Sequence, residues 1–323
     1  MRRNTSAAQA TSGDSGGGGE PSGALRPSKP DPAEPAAAAG AAAMPGLHLV
    51  ATPIGNLGDV SLRALEVLRG ADQIYCEDTR ITARLLARHA IRTPLRTYHD
   101  HNAEAMRPAI LAALRRGERV ALVSDAGTPL IADPGYKLVR AAIAEELPVT
   151  AAPGPSAALT ALILSGLPPD VFLFAGFLPK QQAARRHALA RVAPIEATLI
   201  FYEAAPRLAA ALGDMSEMLG ARLAAIAREL TKMHEEVRRG RLADLADHYR
   251  QAGPPRGEIV IVVGPPEPAR QDMDEIDRRL GAALGEHGVR EAATRLAGET
   301  GLPRSALYRR ALAIRDGARD GEP

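Results

Sequence analysis

The chain has 323 residues, enough for two or three domains, and 46% of them are hydrophobic, so sizeable cores can form. Aromatic residues make up only 3% and tryptophan is absent, so those cores must be built from Ala, Leu, Val and Ile. A net charge of +2 does not mark a bulk nucleic-acid binder; the single cysteine, Cys76, excludes an internal disulfide and fits a reducing cytoplasm; and no apolar run is long enough to span a bilayer.

Residues 1–43 are mostly Gly, Ala, Pro and Ser with scattered charge, and they lack the apolar centre of a secretory signal. Such a composition cannot offset the entropy of ordering, which predicts a disordered tail, with Met44 as an alternative start. From Leu47 the pattern alternates. Strands are predicted over 47–52, 73–76, 95–99, 119–124 and 149–152, with helices over 61–69, 81–89, 103–116, 136–146 and 156–165 between and after them. Ser61 is a good N-cap, and Gly166 closes the last of these helices. This spacing implies a largely parallel sheet with crossover helices, an α/β domain over 44–167.

The run Gly166-Leu-Pro-Pro169 marks a boundary, and a second small α/β domain is expected over 168–268. Its predicted strands are 171–177, 198–202, 222–227 and 258–263, with helices over 181–192 and 206–219. Two such domains enclose a cleft, and no sequence repeat links them. The remainder, 269–323, turns helical and charged, with helices predicted over 272–284, 289–299 and 305–315, the last capped by Ser305. Gly301 sits in the turn between the last two, a helix-turn-helix-like arrangement that places Arg304, Arg309 and Arg310 as contacts to nucleic acid. A helical cap on the second domain, or a dimer contact, accounts for the same pattern.

The stretch Ser124-Asp-Ala-Gly-Thr-Pro-Leu-Ile-Ala-Asp-Pro-Gly135 follows a buried strand and precedes a helix, where open α/β sheets bind ligands. A phosphate cradle would offer backbone N–H groups and a Lys or Arg. This loop offers Asp125 and Asp133, so a ligand with cationic centres and hydroxyls suits it better than a polyanion. S-adenosylmethionine, with a sulfonium, an ammonium and a ribose diol, is such a ligand. Read alone, the loop is equally an Asx-turn segment whose aspartates cap the next helix.

Several segments occur together and in order: Ala51-Thr-Pro-Ile-Gly-Asn-Leu-Gly-Asp59, Cys76-Glu-Asp-Thr-Arg80, Ser124 to Gly135, Pro153-Gly-Pro-Ser-Ala157, Phe174-Ala-Gly-Phe-Leu-Pro179, Phe201-Tyr-Glu203 and Glu229-Leu-Thr-Lys-Met-His-Glu235. From Leu47 onward the chain resembles the tetrapyrrole-methylase superfamily of S-adenosylmethionine enzymes. More closely, it resembles the bacterial branch that methylates the ribose 2′-hydroxyl of one decoding-centre cytidine in 16S ribosomal RNA. That resemblance implies S-adenosyl-L-methionine in the interdomain cleft, 16S rRNA within the small ribosomal subunit as partner, a cytoplasmic location and a possible homodimer. The implied cofactor residues are Pro53, Gly55, Asn56, Asp125, Gly127, Thr128, Pro129, Ile131, Pro155, Ser156 and Ala157, with Leu178 and the backbone near Phe201 as further candidates. Where the family usually carries Gly, this chain has Ala51, which implies a small backbone adjustment.

A ribose hydroxyl is a poor nucleophile and benefits from a proton acceptor. Glu77, Asp78, Glu203 and Glu229 are candidates at strand ends, with Lys232 beside them, and Arg80 and Arg207 are placed to meet flanking phosphates. Helix capping with an Asp78–Arg80 pair, and a solvated turn over 229–236, account for two of these groups without catalysis. No metal site is expected, because His234 has no second His at ligand spacing and His99 and His101 have no third ligand. Two other functions stay open: a methyltransferase of this fold acting on a tetrapyrrole or a protein side chain, and a non-enzymatic nucleic-acid binder.

Overall fold

The computed structural model describes residues 44–266 and 273–319; the expected disordered tail lies outside the described residues. The first sheet contains β1 (Gly46–Val50), β2 (Gln73–Cys76), β3 (Leu95–Thr97), β4 (Arg119–Val123) and β5 (Val149–Ala152) in the order β3-β2-β4-β1-β5. Every pairing is parallel, as the strand–helix alternation predicted. The helices α1 (Leu62–Gly70) and α2 (Thr79–Arg88) cover one face, where Leu65, Leu68, Leu85 and Leu86 pack on Val50, Ile74 and Val123. The helices α3 (Ala103–Arg115) and α4 (Tyr136–Ala144) cover the other, where Ile110, Leu114 and Leu138 meet Leu47, Tyr75 and Leu122. The chain leaves β1 toward one edge of the sheet and leaves β4 toward the other, so a crevice opens beyond the carboxyl ends of these neighbouring strands.

Local chemistry sets the helix starts. The Ser61 hydroxyl accepts the Ala64 N–H at 3.1 Å, and the Asp78 carboxylate accepts the Arg80 N–H at 2.8 Å, so α2 begins two residues before the expected position. Ser305 is not an N-cap: the last helix already begins at Arg304, and Pro303 O accepts from Ala306 N at 2.9 Å.

The second sheet contains β6 (Phe172–Phe177), β7 (Thr198–Ala204), β8 (Leu223–Arg228), β9 (Glu236–Arg241) and β10 (Glu258–Val263) in the order β6-β7-β10-β8-β9. Only β6 and β7 are parallel, so this sheet is mixed. The edge strand β9 and the helix α8 (Leu242–Ala252) were not expected. β9 reads Glu-Val-Arg-Arg-Gly-Arg, a charge run by composition. Its arginines bond locally instead, Arg238 to Glu236 at 2.9 Å and Arg239 to Ser165 O at 3.1 Å, and charge on an edge strand blocks further pairing.

Helix α5 (Ala157–Ser165) lies on one face of the second sheet, where Ala158, Ala161 and Leu162 meet Ile200, Ala225 and Val262. Ile54, from the loop after β1, belongs to the same cluster and ties the two lobes together. The opposite face carries α6 (Gln182–Val192), α7 (Leu208–Leu219) and α8, with Leu189, Leu212 and Leu245 in its core. The helices α9 (Met273–Glu286), α10 (Val289–Thr300) and α11 (Arg304–Arg319) have a core of their own, centred on Leu280, Leu296 and Leu307.

A buried clasp joins α6 to α7. Asp214, 2% exposed, accepts from Arg185 Nε at 2.6 Å, Arg186 Nε at 2.7 Å and Gln182 Nε2 at 3.1 Å. Burial alone would raise the Asp214 pKa, but these donors outweigh it and hold the carboxyl below its ordinary value. An aspartate depressed in the folded state stabilises above its unfolded pKa, and that contribution is lost as pH falls through the lower folded value. Asp214→Ala strands the buried Arg185 charge and is expected to destabilise the protein by about 3–5 kcal/mol, read from the denaturation midpoint at neutral pH. The deficit should shrink toward acid, where the parent loses the same interaction.

Candidate functional site

Three loops at the carboxyl edge of the first sheet are laced together. Thr52 N donates to Gly127 O at 2.9 Å and Gly127 N to Thr52 O at 3.0 Å, a two-way bridge between the loops after β1 and β4. The Thr52 hydroxyl donates to Ser124 O at 2.8 Å, and the Thr128 hydroxyl reaches Pro155 O, in the loop after β5, at 3.1 Å. Gly127 has φ +84°, and a side chain there would meet Ile54 at 3.2 Å. In the same loop Leu130 and Ala132 hold left-handed backbone without being glycine, strain of the kind that gathers at functional sites. Ala51, where Gly was expected, is buried against Gly154.

Between this edge and the second sheet lies a cavity of about 580 Å³. The first lobe lines it with Asp125, Gly127, Thr128, Ile131 and Asp133 and with Ser156 and Ala157 after β5, and the second with Phe177, Tyr202, Glu203, Leu230 and Glu258 through Val260. Four acidic residues line it, Asp125, Asp133, Glu203 and Glu258, and its lining contains no Lys, Arg or His, although Glu203 is paired with Arg207 and Glu258 with Lys232 from outside it. Burial pushes the Asp125 and Asp133 carboxyls above their ordinary values. Glu203 is buried at the end of β7; its Oε1 accepts Ala204 N and Arg207 Nε, both at 2.7 Å. Its Oε2 is buried and has no partner among the described residues. Aromatic rings form one wall, with Tyr202 4.9 Å from Phe174 and 5.5 Å from Phe177 between centroids.

A second cavity, about 570 Å³, shares Ile54, Asp125, Ala126 and Glu258 with the first and adds Pro53, Gly55, Leu57, Arg84 and Lys232. It is the side of the site that carries cations. Lys232 Nζ donates to Glu229 Oε1 at 2.8 Å and to Glu258 Oε2 at 2.7 Å. Burial would lower the Lys232 pKa, but the two carboxylates prevail and raise it, so the amine is charged at neutral pH. Lys232 in turn holds the Glu229 carboxyl below its ordinary value. The turn is strained, since Glu229 and Thr231 both have positive φ.

The structure sorts the expected residues. Asp125, Gly127, Thr128, Ile131, Ser156 and Ala157 converge on the first cavity, and Pro53 and Gly55 on the second. Pro129 lines a small niche with Glu77 and Asp133, and Pro155 meets Thr128 through its carbonyl. Asn56 lines neither cavity and accepts Gly58 N at 3.0 Å. Asp78 caps α2 and pairs with Arg80 at 2.5 Å, and the guanidinium holds its pKa down at about 2. Arg207 is turned inward onto Glu203. Leu178 lies in the second-lobe core rather than in the cavity lining, and so does the Phe201 side chain, whereas the chain just beyond it, Tyr202 to Ala204, lines the cavity. On α11, Arg304 and Arg309 are exposed, whereas Arg310 pairs with Asp277 of α9 at 2.9 Å. Phe177, Tyr202, Leu230 and residues 257–260 were not anticipated, because strand alternation alone does not show which side chains of a second lobe face the first. The Tyr-Glu pair at the end of β7 was the available signal. Among the described residues no group of three or more His, Cys, Asp or Glu could hold a metal ion, and no helix is long and apolar enough to cross a membrane.

A family model described as Tetrapyrrole (Corrin/Porphyrin) Methylases matches residues 46–246. The chain belongs to the tetrapyrrole methylase family. A second model, the RsmI C-terminal HTH domain, matches residues 270–315, the span of α9 to α11 in this tetrapyrrole methylase. A protein of Mesorhizobium japonicum named Ribosomal RNA small subunit methyltransferase I is 52% identical over 279 residues, covering 86% of this chain and 95% of the relative. One of the same name from Erythrobacter litoralis is 54% identical over 271 residues, covering 84% and 96%. Among solved structures, a cobalt precorrin-4 methyltransferase superposes with a TM-score of 0.53 at 16% identity, over 68% of this chain and 94% of that one, a likeness of fold.

Gly257 has φ +98°, and a Cβ there would lie 2.3 Å from Glu229 Oε1. Gly257→Ala is therefore expected to cost about 1–3 kcal/mol in the denaturation midpoint. It should also release Lys232 from Glu229, seen as a lower Lys232 pKa by NMR titration.

Proposed function

We propose that this protein is a cytoplasmic S-adenosyl-L-methionine-dependent methyltransferase that methylates the ribose 2′-hydroxyl of a cytidine in 16S ribosomal RNA. The observation that carries the reading is the separation of charge between two adjoining cavities. The first is lined by no cation and by two aspartates, Asp125 and Asp133, that form no ion pair among the described residues, which suits a sulfonium and an ammonium and would repel a nucleoside triphosphate. The residues present therefore fit S-adenosylmethionine, with Asp125 and Asp133 meeting polar and cationic groups and Tyr202, Phe177 and Val260 meeting apolar ones. That cofactor, when bound, supplies a methyl group on a positively charged sulfur. The relatives named as ribosomal RNA methyltransferases support RNA as the acceptor.

The second cavity, with Arg84 and Lys232, is the side by which a polyanionic acceptor approaches. Most of the rate in such a displacement comes from holding the reacting atoms in line and excluding water. Ile54, Asp125 and Ala126 form the shared wall where the two cavities meet. Lys232, charged and steadied by Glu229 and Glu258, stabilises negative charge as it develops on a ribose oxygen. Asp78 and Glu229, whose proton affinities are lowered by Arg80 and Lys232, are weak bases and serve to position those cations. A homodimer remains part of the proposal, with the exposed Leu159 and Ile163 of α5 as apolar side chains a second copy would cover.

The test is mapping of ribose methylation on 16S rRNA from cells lacking the protein, and its restoration by purified protein, S-adenosylmethionine and small subunits. Loss and restoration at one cytidine are expected; an unchanged methylation map overturns the reading. Asp125→Asn should weaken S-adenosylhomocysteine binding by about tenfold in calorimetry, one charge-assisted contact's worth, with the denaturation midpoint little changed. Unaltered affinity would remove Asp125 from the cofactor site.

A further inference from the structure

The helical extension segregates its arginines. Arg278, Arg279, Arg295, Arg310 and Arg315 each pair with a carboxylate, respectively of Glu275, Glu299, Glu299, Asp277 and Asp316. Arg290, Arg304 and Arg309 form no ion pair among the described residues, and these three line a single open groove of about 870 Å³ together with Ser305 and Tyr308. The groove runs between the first turn of α10 and the first two turns of α11. On α11, Leu307 and Ala311 face the core, while Arg304, Tyr308 and Arg309 occupy the outward face one turn apart. Tyr308 is 40% exposed, an aromatic ring set among three uncommitted guanidinium groups.

Carboxylates could have neutralised these positions as they do the other five, so the uncompensated charge concentrates in one place. Phosphates are held by guanidinium groups at no cost in sequence selectivity, whereas an exposed ring offers a face on which a splayed-out base can stack. Resting on the RNA-methylation reading above, we propose that this groove is a contact site for single-stranded RNA. Tyr308 stacks with an unpaired base, and Arg290, Arg304 and Arg309 hold the neighbouring phosphates. Arg290 thus takes the role that the sequence assigned to Arg310, which instead fastens α11 to α9. A base-paired helix would bury its bases away from Tyr308, so the groove discriminates by strandedness.

The full-length protein is titrated with a fluorescein-labelled unstructured pyrimidine RNA of about a dozen nucleotides, and with a duplex of equal length, by fluorescence anisotropy. The single strand should bind more tightly than the duplex. Tyr308→Ala should weaken single-strand binding about tenfold, and Tyr308→Phe should restore it, because the ring and not the hydroxyl stacks. Arg290→Gln, on a residue remote from the core, should reduce the slope of log affinity against log salt by about 0.7, one phosphate contact on a single strand. Duplex binding equal to or tighter than single-strand binding, or a Tyr308→Ala variant with parental affinity, overturns the assignment. Far-UV circular dichroism and the denaturation midpoint verify that the helical extension of each variant is folded. Wild-type methylation of small subunits, measured in parallel, separates failure of this inference from failure of the RNA reading.

Discussion

Two backbone hydrogen bonds between Thr52 and Gly127 hold the site together. They join loops that leave neighbouring parallel strands and then diverge to opposite faces of the sheet. Without that bridge the crevice at the strand ends would be a gap between independent turns. With it, the loop after β4 is fixed in register with the loop after β1, and Thr128 extends the same layer to Pro155. The strained residues Leu130 and Ala132 are tolerated because both ends of their loop are anchored. Ile54 emerges from this layer into the second-lobe core, so loop geometry and lobe packing depend on one another.

That rigidity lets the site keep charges in unfavourable company. Burial raises the proton affinity of Asp125 and Asp133, and one donor on each, Asp78 N for Asp125 and the Ser124 hydroxyl for Asp133, offsets it only in part. A cationic ligand would offset the rest. Next door, Lys232 is surrounded by Glu229 and Glu258, and charge there is balanced within the protein. One compartment keeps two aspartates, Asp125 and Asp133, that form no ion pair among the described residues, while its neighbour is compensated, with Asp125 and Glu258 lining both. The helical extension shows the same contrast with opposite sign, since among the described residues five arginines are satisfied internally and three form no ion pair.

The first sheet was legible in the sequence because β1, β4 and β5 are short, mainly apolar runs that alternate with helices at crossover spacing. The second sheet was less so. The strands over β8 and β10 were expected, but their antiparallel pairing leaves no trace in the pattern, and β9 is disguised by its arginines. The charge of the central loop could be read before any coordinates, because Asp125 and Asp133 lie in one contiguous stretch. The wall contributed by Tyr202, Leu230 and Val260 could not, because it is assembled from three strands and turns distant in sequence. Arg310 shows a further limit: helix periodicity ranks it equal to Arg309, and only the presence of Asp277 on α9 decides which of the two is committed.

Ala51 and Gly154 occupy one small space beneath the site. A methyl group on Gly154 would stand 3.1 Å from the one already on Ala51, closer than such atoms comfortably approach. The room beneath the loops therefore admits a single methyl, contributed by either strand end. Substitution histories at these positions should be linked, with Ala at 154 tolerated only on backgrounds that have Gly at 51.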